Sequence, residues 1–182
     1  MQVTVIYCGH QLDYLYGLVS GFKKQKGVIF KIIDAERDEN RLSELASDNI
    51  EFLKFLKTKR KGVLYEVFRW SLYYIRLTFH IIFSKSSVYH IEWINRKIDV
   101  FEHIYFSFFL KILRKKIIFK VHDIDTNILL HHNKDYKELK WSMRLFLSKV
   151  DSIISHNSYV KSTLVDFKIK SEKIHIIAHG IN

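Results

Sequence analysis

Proline is absent from this chain of 182 residues, and cysteine occurs once, as Cys8. Without proline and without a Gly/Ser-rich stretch, nothing marks an internal boundary, so residues 1–182 read as a single domain. A lone cysteine excludes an internal disulfide framework and a Cys-based zinc site, and Cys8 reads as a small residue closing a strand. Long apolar runs are missing too: no stretch reaches the roughly 18 uncharged apolar residues that a membrane span needs. The segment from Met1 to Tyr7 is apolar but short. It has no basic lead-in and no small-residue cleavage site, so it reads as a first strand, and the chain is expected in the cytosol.

Acidic residues are also scarce, 19 against 30 Lys and Arg, for a formal charge of +11. The imbalance is local. From Lys54 to Lys120 there are fifteen Lys and Arg against four acids, Glu66, Glu92, Asp99 and Glu102, an excess as large as that of the whole chain. Such a segment points to an anionic partner: nucleic acid, acidic lipid or a phosphorylated substrate. No helix-turn-helix, RNP or zinc-finger pattern accompanies it, so nucleic acid is not the expected partner.

What is present is an alternation of short β-branched runs with longer helical stretches. Val3–Tyr7, Val28–Ile33, Ser87–Ile91, Lys116–Val121, Asp151–Ser155 and Lys173–Ile177 read as six strands. Helical spacing fills most of the gaps: Leu12 to Phe22, closed by Gly27, then Val100 to Leu113, Tyr136 to Lys149 and Tyr159 to Phe167. Strands apolar on both faces and alternating with helices imply a parallel sheet covered on both sides. The handedness of β-helix-β crossovers then makes it an α/β, doubly wound, mostly parallel, Rossmann-like sheet.

Residues 63–83 form a longer helix whose polar members, Glu66, Arg69, Tyr73, Arg76 and His80, recur at steps of three and four on one narrow stripe. Two readings stand. Either the helix packs on the sheet with that stripe as its wet edge, or it lies partly in a membrane interface. In the second case Lys57, Lys59, Arg60 and Lys61 provide the charged approach to an anionic surface, with Tyr65, Phe68, Trp70 and Leu72 available to insert.

Ligands of doubly wound sheets bind at the carboxyl ends of the strands. That rule selects Gly9 and His10, Glu92 and Trp93, His122 and Asp123, and the stretch Ser155 to Ser158. There is no Gly-x-Gly-x-x-Gly, no Walker loop and no Gly-x-Ser-x-Gly elbow, so no dinucleotide or other cofactor is expected. No metal is expected either: His131 and His132 are adjacent, a poor spacing for two ligands, and read as solvated imidazoles. His103, His156 and His175 read as structural.

Three segments in order resemble the N-terminal domain of family-4 glycosyltransferases, retaining enzymes of GT-B architecture. Lys116–Asp123 is similar to that family's strand ending in His-Asp. Lys149–Ser155 followed by Tyr159–Leu164 is similar to its Asp-x-hydrophobic-hydrophobic-x-Ser strand and the next helix, and Glu172–Asn182 to its closing strand and turn. Val88–Trp93 fits an earlier strand that leaves a polar residue at the crevice. The closing turn departs from the family in having Ala178-His179 where Pro-Asn is usual.

The resemblance implies the acceptor-binding half of a glycosyltransferase. A nucleotide-sugar donor would be held by a C-terminal domain or partner chain outside residues 1–182, and this chain alone would be inactive. His122 would contact the transferred sugar or acceptor at the reaction centre, and the Gly9 amide would approach the donor diphosphate as helix N-termini do. Substrate would also meet His10, Glu92, Asp123 and Ser155. With the basic aromatic segment and Trp70 on an anionic membrane, the expected acceptor is lipid-linked or part of a cell-surface glycan, and the enzyme is peripheral on the inner face of the cell membrane. The alternative is a non-catalytic, membrane-associated Rossmann-like subunit that recruits a separate catalytic chain.

Overall fold

The computed structural model describes residues 1–7, 12–34, 46–54, 62–95, 98–122, 130–133 and 136–177. A seven-stranded parallel sheet has the order β3-β2-β1-β4-β5-β8-β9 and is flanked by helices. Its strands are β1 (Gln2–Tyr7), β2 (Ile29–Asp34), β3 (Ile50–Lys54), β4 (Val88–Ile91), β5 (Lys116–Val121), β8 (Ser152–Ser155) and β9 (Ile174–Ile176). Between β5 and β8, β6 (Leu130–Asn133) and β7 (Tyr136–Leu139) pair antiparallel. The helices are α1 (Leu12–Lys23), α2 (Val63–Phe83), α3 (Asp99–Tyr105), α4 (Trp141–Lys149) and α5 (Ser158–Asp166). The chain divides into two compact units, Met1–Tyr89 and His90–Asn182.

In the first unit β1 is almost entirely buried from Val3 to Tyr7, the profile of a central parallel strand. It pairs with β2 from Gln2↔Ile29 to Tyr7↔Asp34, and β2 pairs with β3 from Phe30↔Ile50 to Asp34↔Lys54. Strand β3 is the one missing from the six expected. It is an edge strand, Ile50-Glu51-Phe52-Leu53-Lys54, with only Ile50 fully buried, so it lacks the apolar run that marks the others. A cross-strand ion pair in register, Lys31 to Glu51 at 3.1 Å, links it to β2. The turn leading into β2 uses Gly27 at φ 76°, a left-handed conformation that glycine adopts without a Cβ clash.

Helix α2 has the expected span but the opposite orientation. Arg69, Tyr73, Leu77 and Ile81 are buried, while Leu64, Phe68, Ile75, Phe79 and Ile82 are exposed. The polar stripe read as a wet edge therefore faces inward. Its members are satisfied there: Arg69 donates through Nε and an Nη to Glu66 Oε2, at 3.1 and 2.7 Å. His80 Nε2 lies 3.0 Å from Thr4 Oγ1, which in turn donates to Ser86 Oγ at 2.8 Å. Both Thr4 and Ser86 are fully buried, so this chain of polar contacts replaces the water each group gives up.

In the second unit α3 continues as a π-helical turn, Phe106–Leu110, and packs with α4. Polar groups knit the two helices. Asp99 Oδ2 accepts from Lys140 Nζ at 2.8 Å, and His103 Nδ1 meets Ser142 Oγ at 2.9 Å with its ring stacked on Phe146. Burial lowers the His103 pKa to about 4, so the ring is neutral near pH 7, in keeping with a structural role. Residues 136–139 are strand rather than the start of a helix: Leu139 pairs with Leu130, and α4 begins only at Trp141. The last turn of α4 is closed by Lys173, whose Nζ donates to the Ser148 and Val150 carbonyls at 3.1 and 2.8 Å. Helix α5 starts at a side-chain cap, Asn157 Oδ1 accepting from Val160 N at 2.8 Å. Asn157→Ala should lower unfolding free energy by about 1 kcal/mol, readable as a lower urea midpoint at unchanged slope.

Candidate active site

Side chains alternate between faces along a strand, so residues two apart share a face. Strands β4 and β5 are neighbours, and β5 pairs with β8 so that Lys120 faces Ile154 and Val121 faces Ser155. Extending the alternation past the strand ends places His90, Glu92, Lys120, His122 and His156 together at the carboxyl edge of the sheet. The side chains meet as that parity requires. The His122 and His156 rings lie 5.2 Å apart between centroids.

Glu92 is the hub. Its side chain is fully buried, with Oε2 3.2 Å from His122 Nε2 and 3.9 Å from Lys120 Nζ. Oε1 is 3.1 Å from His90 Nε2, close enough for charge interaction but off the line of a hydrogen bond. Burial lowers the His90 pKa more than Glu92 raises it, and lowers that of Lys120 against the same opposing carboxylate. A buried carboxylate is tolerated only with such partners. Beside this cluster the Trp93 indole stacks on the His122 ring, centroids 3.9 Å apart and planes 8° from parallel. His122 is thus held by a hydrogen bond in its plane and by an aromatic surface against its face. An imidazole so oriented can exchange hydrogen bonds with a hydroxyl-rich ligand. Among the described residues no group of three or more His, Cys, Asp or Glu is arranged to hold a metal ion.

The family model described as Glycosyltransferase Family 4 matches residues 40–182. The chain belongs to this family. Among solved structures, this family-4 domain is similar to Alr3699/HepE from Anabaena in complex with UDP and glucose, at 11% identity over the whole chain and a TM-score of 0.58. It is similar also to the UDP-GlcNAc 2-epimerase of Methanocaldococcus jannaschii, at 12% identity over 97% of the chain, TM-score 0.61. TcCGT1 in complex with UDP matches at 11% identity over 97%, TM-score 0.52. These likenesses establish the fold. The family-4 domain spans 45% of the length of the first two structures and 50% of the third. No curated protein sequence matches it.

Of the residues singled out from the sequence, the structure brings Glu92 and His122 into direct contact. The direct substrate contact expected of Glu92 does not fit its burial, because both oxygens face protein groups. Ser155 is likewise fully buried, and by register its side chain takes the opposite face from His122. Its hydroxyl donates to the Asn157 carbonyl at 3.4 Å, which makes it part of the turn into α5 and not of the ligand edge. Trp70 is half-buried on α2, edge-on to Tyr73, with the Arg69 guanidinium 5.4 Å from its ring; it is not on the outward stripe. Gly9, His10, Asp123, Lys57, Lys59, Arg60 and Lys61 lie outside the described residues. Sequence reasoning missed His90, Lys120 and His156 as members of the site, and named Trp93 without a role. The signal was available: polar residues two apart at the ends of two strands, His90/Glu92 and Lys120/His122.

Proposed function

We propose that this chain is the acceptor-side domain of a retaining glycosyltransferase that passes a sugar from a nucleotide-sugar to a lipid-linked or cell-surface glycan. The observation that carries this reading is the carboxyl-edge cluster, His122 stacked on Trp93 and hydrogen-bonded to buried Glu92, in a family-4 domain. The donor belongs to a second domain or partner chain, which agrees with residues 1–182 spanning under half of HepE. His122 meets the carbohydrate at the reaction centre, and Gly9, His10 and Asp123 are kept as further substrate contacts on the sequence resemblance alone. No protein nucleophile is assigned.

The membrane-facing part of the proposal rests on α2. No helix of the described residues is long and apolar enough to cross a membrane. Yet α2 turns an apolar stripe outward, from Leu64 through Phe68, Ile75 and Phe79 to Ile82 and Phe83, interrupted at exposed Ser71. It follows directly on the basic run Lys57 to Lys61. An apolar face beside basic charge is the composition of a helix that lies in an anionic interface, which suits a lipid-linked acceptor on the inner leaflet.

The test of the catalytic reading is turnover. Pure 1–182 protein should be inactive with any nucleotide-sugar, and activity should appear when the donor-binding part is supplied. His122→Ala should then lower kcat by more than about tenfold without changing the circular dichroism, while His131→Ala leaves it near wild type. Turnover by 1–182 alone, or an equal loss from both substitutions, overturns the assignment.

A further inference from the structure

The helix between β4 and β5 turns its polar side inward and its apolar side outward. It runs through α3 and the π-helical turn Phe106–Leu110 into residues 111–112. Its polar members, Asp99, Glu102, His103 and Ser107, are buried. They are used within the second unit: Asp99 accepts from Lys140, Glu102 Oε2 accepts from the Asn95 amide, and Ser107 donates to the His103 carbonyl. The outward row is Phe101, Ile104, Phe108 and Ile112, which are 48%, 37%, 50% and 74% exposed. Beside it Tyr105 stacks on Phe101 and on Phe109, with ring centroids 5.8 and 5.3 Å apart. Water therefore meets an apolar surface whose aromatic rings hold one another in place, and covering it would release that water.

The charge beside this row is of one sign. From Val100 to Lys116 the only acid is the buried Glu102, and Lys111 is paired with Asp151 at 2.6 Å. Arg114 and Lys116 are exposed, and neither meets a carboxylate among the described residues. Arg114 closes the helix at φ 54°, with the Lys115 amide bonded to the Leu110 carbonyl at 2.8 Å, a position that favours glycine. A guanidinium is thus carried where the backbone is easier without a side chain. A protein partner of mixed charge leaves such cations unanswered. A layer of lipid phosphates answers them, while its acyl boundary takes the apolar row.

We propose that the outward face of α3 and its π-helical turn is a contact with anionic bilayers, in the same unit as the carboxyl-edge cluster. The helix begins close to that edge: Asp99 lies seven positions after Glu92, and the Asn95 amide between them already bonds to α3. A bilayer against this face keeps a lipid-linked acceptor near the end of β4, where Glu92 meets His122. The proposal deepens the reading of the acceptor as lipid-linked and rests on it, but the contact can be measured without turnover and apart from α2.

The experiment uses the full 182-residue chain with phosphatidylglycerol and phosphatidylcholine vesicles at low salt. Phe101, Phe108 and Ile112 changed together to aspartate should weaken binding to phosphatidylglycerol by at least about tenfold, at an unchanged urea midpoint. Arg114→Glu with Lys116→Glu should weaken it too, by a factor that shrinks at moderate salt. An environment-sensitive fluorophore attached through Phe108→Cys, in a chain that also carries Cys8→Ser, should shift to the blue on phosphatidylglycerol and much less on phosphatidylcholine. Binding that survives the three aspartates undiminished overturns this contact and leaves that of α2 standing. Should that variant not fold, a Phe108 fluorophore that does not shift while the protein binds vesicles overturns it alone. Dissociation of a dimer by the aspartates assigns the face to a second copy and overturns it as well. No vesicle binding by the wild type overturns both membrane contacts. A complete enzyme that binds through α3 yet glycosylates only water-soluble acceptors would keep the contact and remove the lipid-linked acceptor instead.

Discussion

Changing Phe68, Ile75 and Phe79 together to aspartate should reduce partitioning onto phosphatidylglycerol vesicles by about a hundredfold or more. The three side chains lie along one stripe of α2 and are 65%, 52% and 58% exposed. Complete burial of a large apolar side chain is worth about 1.5–3 kcal/mol. With roughly half of each available to a bilayer, about 1 kcal/mol apiece is at stake, and about 3 kcal/mol corresponds to two decades of binding. The introduced carboxylates add repulsion from an anionic surface. Because the positions face outward, the fold should be little affected, and an unchanged urea midpoint would show it. Lys59, Arg60 and Lys61 changed to Glu should behave differently, weakening binding strongly at low salt and much less at moderate salt, since screening already removes most of their contribution there. Vesicle co-sedimentation separates the two. Wild-type protein that ignores the vesicles at low salt removes the membrane from the proposal. If the aspartate variant instead turns a dimer into a monomer in sedimentation, the stripe is an interface between proteins.

That stripe also shows where sequence reading stops. The spacing of Glu66, Arg69, Tyr73, Arg76 and His80 correctly divides α2 into two unlike faces, and its span of Val63–Phe83 agrees with the structure. Periodicity says that the faces differ, not which one is buried. The decision lies in part with Thr4, which meets His80 on the polar side of the helix from a distant position in the chain and itself donates to Ser86. Strand β3 escaped because an edge strand needs no double-sided apolar run. The four residues of β7 are too few for their period to separate strand from helix. The site divides in the same way. His122 could be named as a candidate from sequence because the end of an apolar strand is a rigid place for a polar residue. The role of Glu92 could not, because it depends on the neighbouring order of β4 and β5, which no local pattern states. His156 looked partnerless for the same reason, although the pairing of β5 with β8 sets it beside His122.

Acidification should destabilise the chain through His103 by roughly 3 kcal/mol between pH 6.5 and pH 4. The ring is buried against Phe146 and Ser142, and its pKa falls from 6.5 to about 4, chiefly by desolvation. The Asp99 charge pulls it up, but Lys140, paired with that carboxylate at 2.8 Å, pushes it down. Above pH 6.5 the folded and unfolded forms both carry a neutral ring, so this group contributes no pH dependence. As the pH falls from 6.5 towards 4, the unfolded chain binds a proton that the folded chain refuses. The equilibrium then shifts towards unfolding at up to about 1.4 kcal/mol per pH unit. Burial lowers the His90 pKa as well, so it acts in the same direction. Urea unfolding measured at intervals across this range should therefore give a stability that is level above pH 6.5 and declines below it. In His103→Asn, whose side chain can still reach towards Ser142, the absolute stability should drop by about 1–3 kcal/mol at pH 7.5 through lost packing on Phe146. The decline below pH 6.5 should become shallower, with His90 accounting for part of what is left. A slope that stays the same in His103→Asn would show that His103 is not held neutral by its surroundings, and that the acid sensitivity of the chain arises elsewhere.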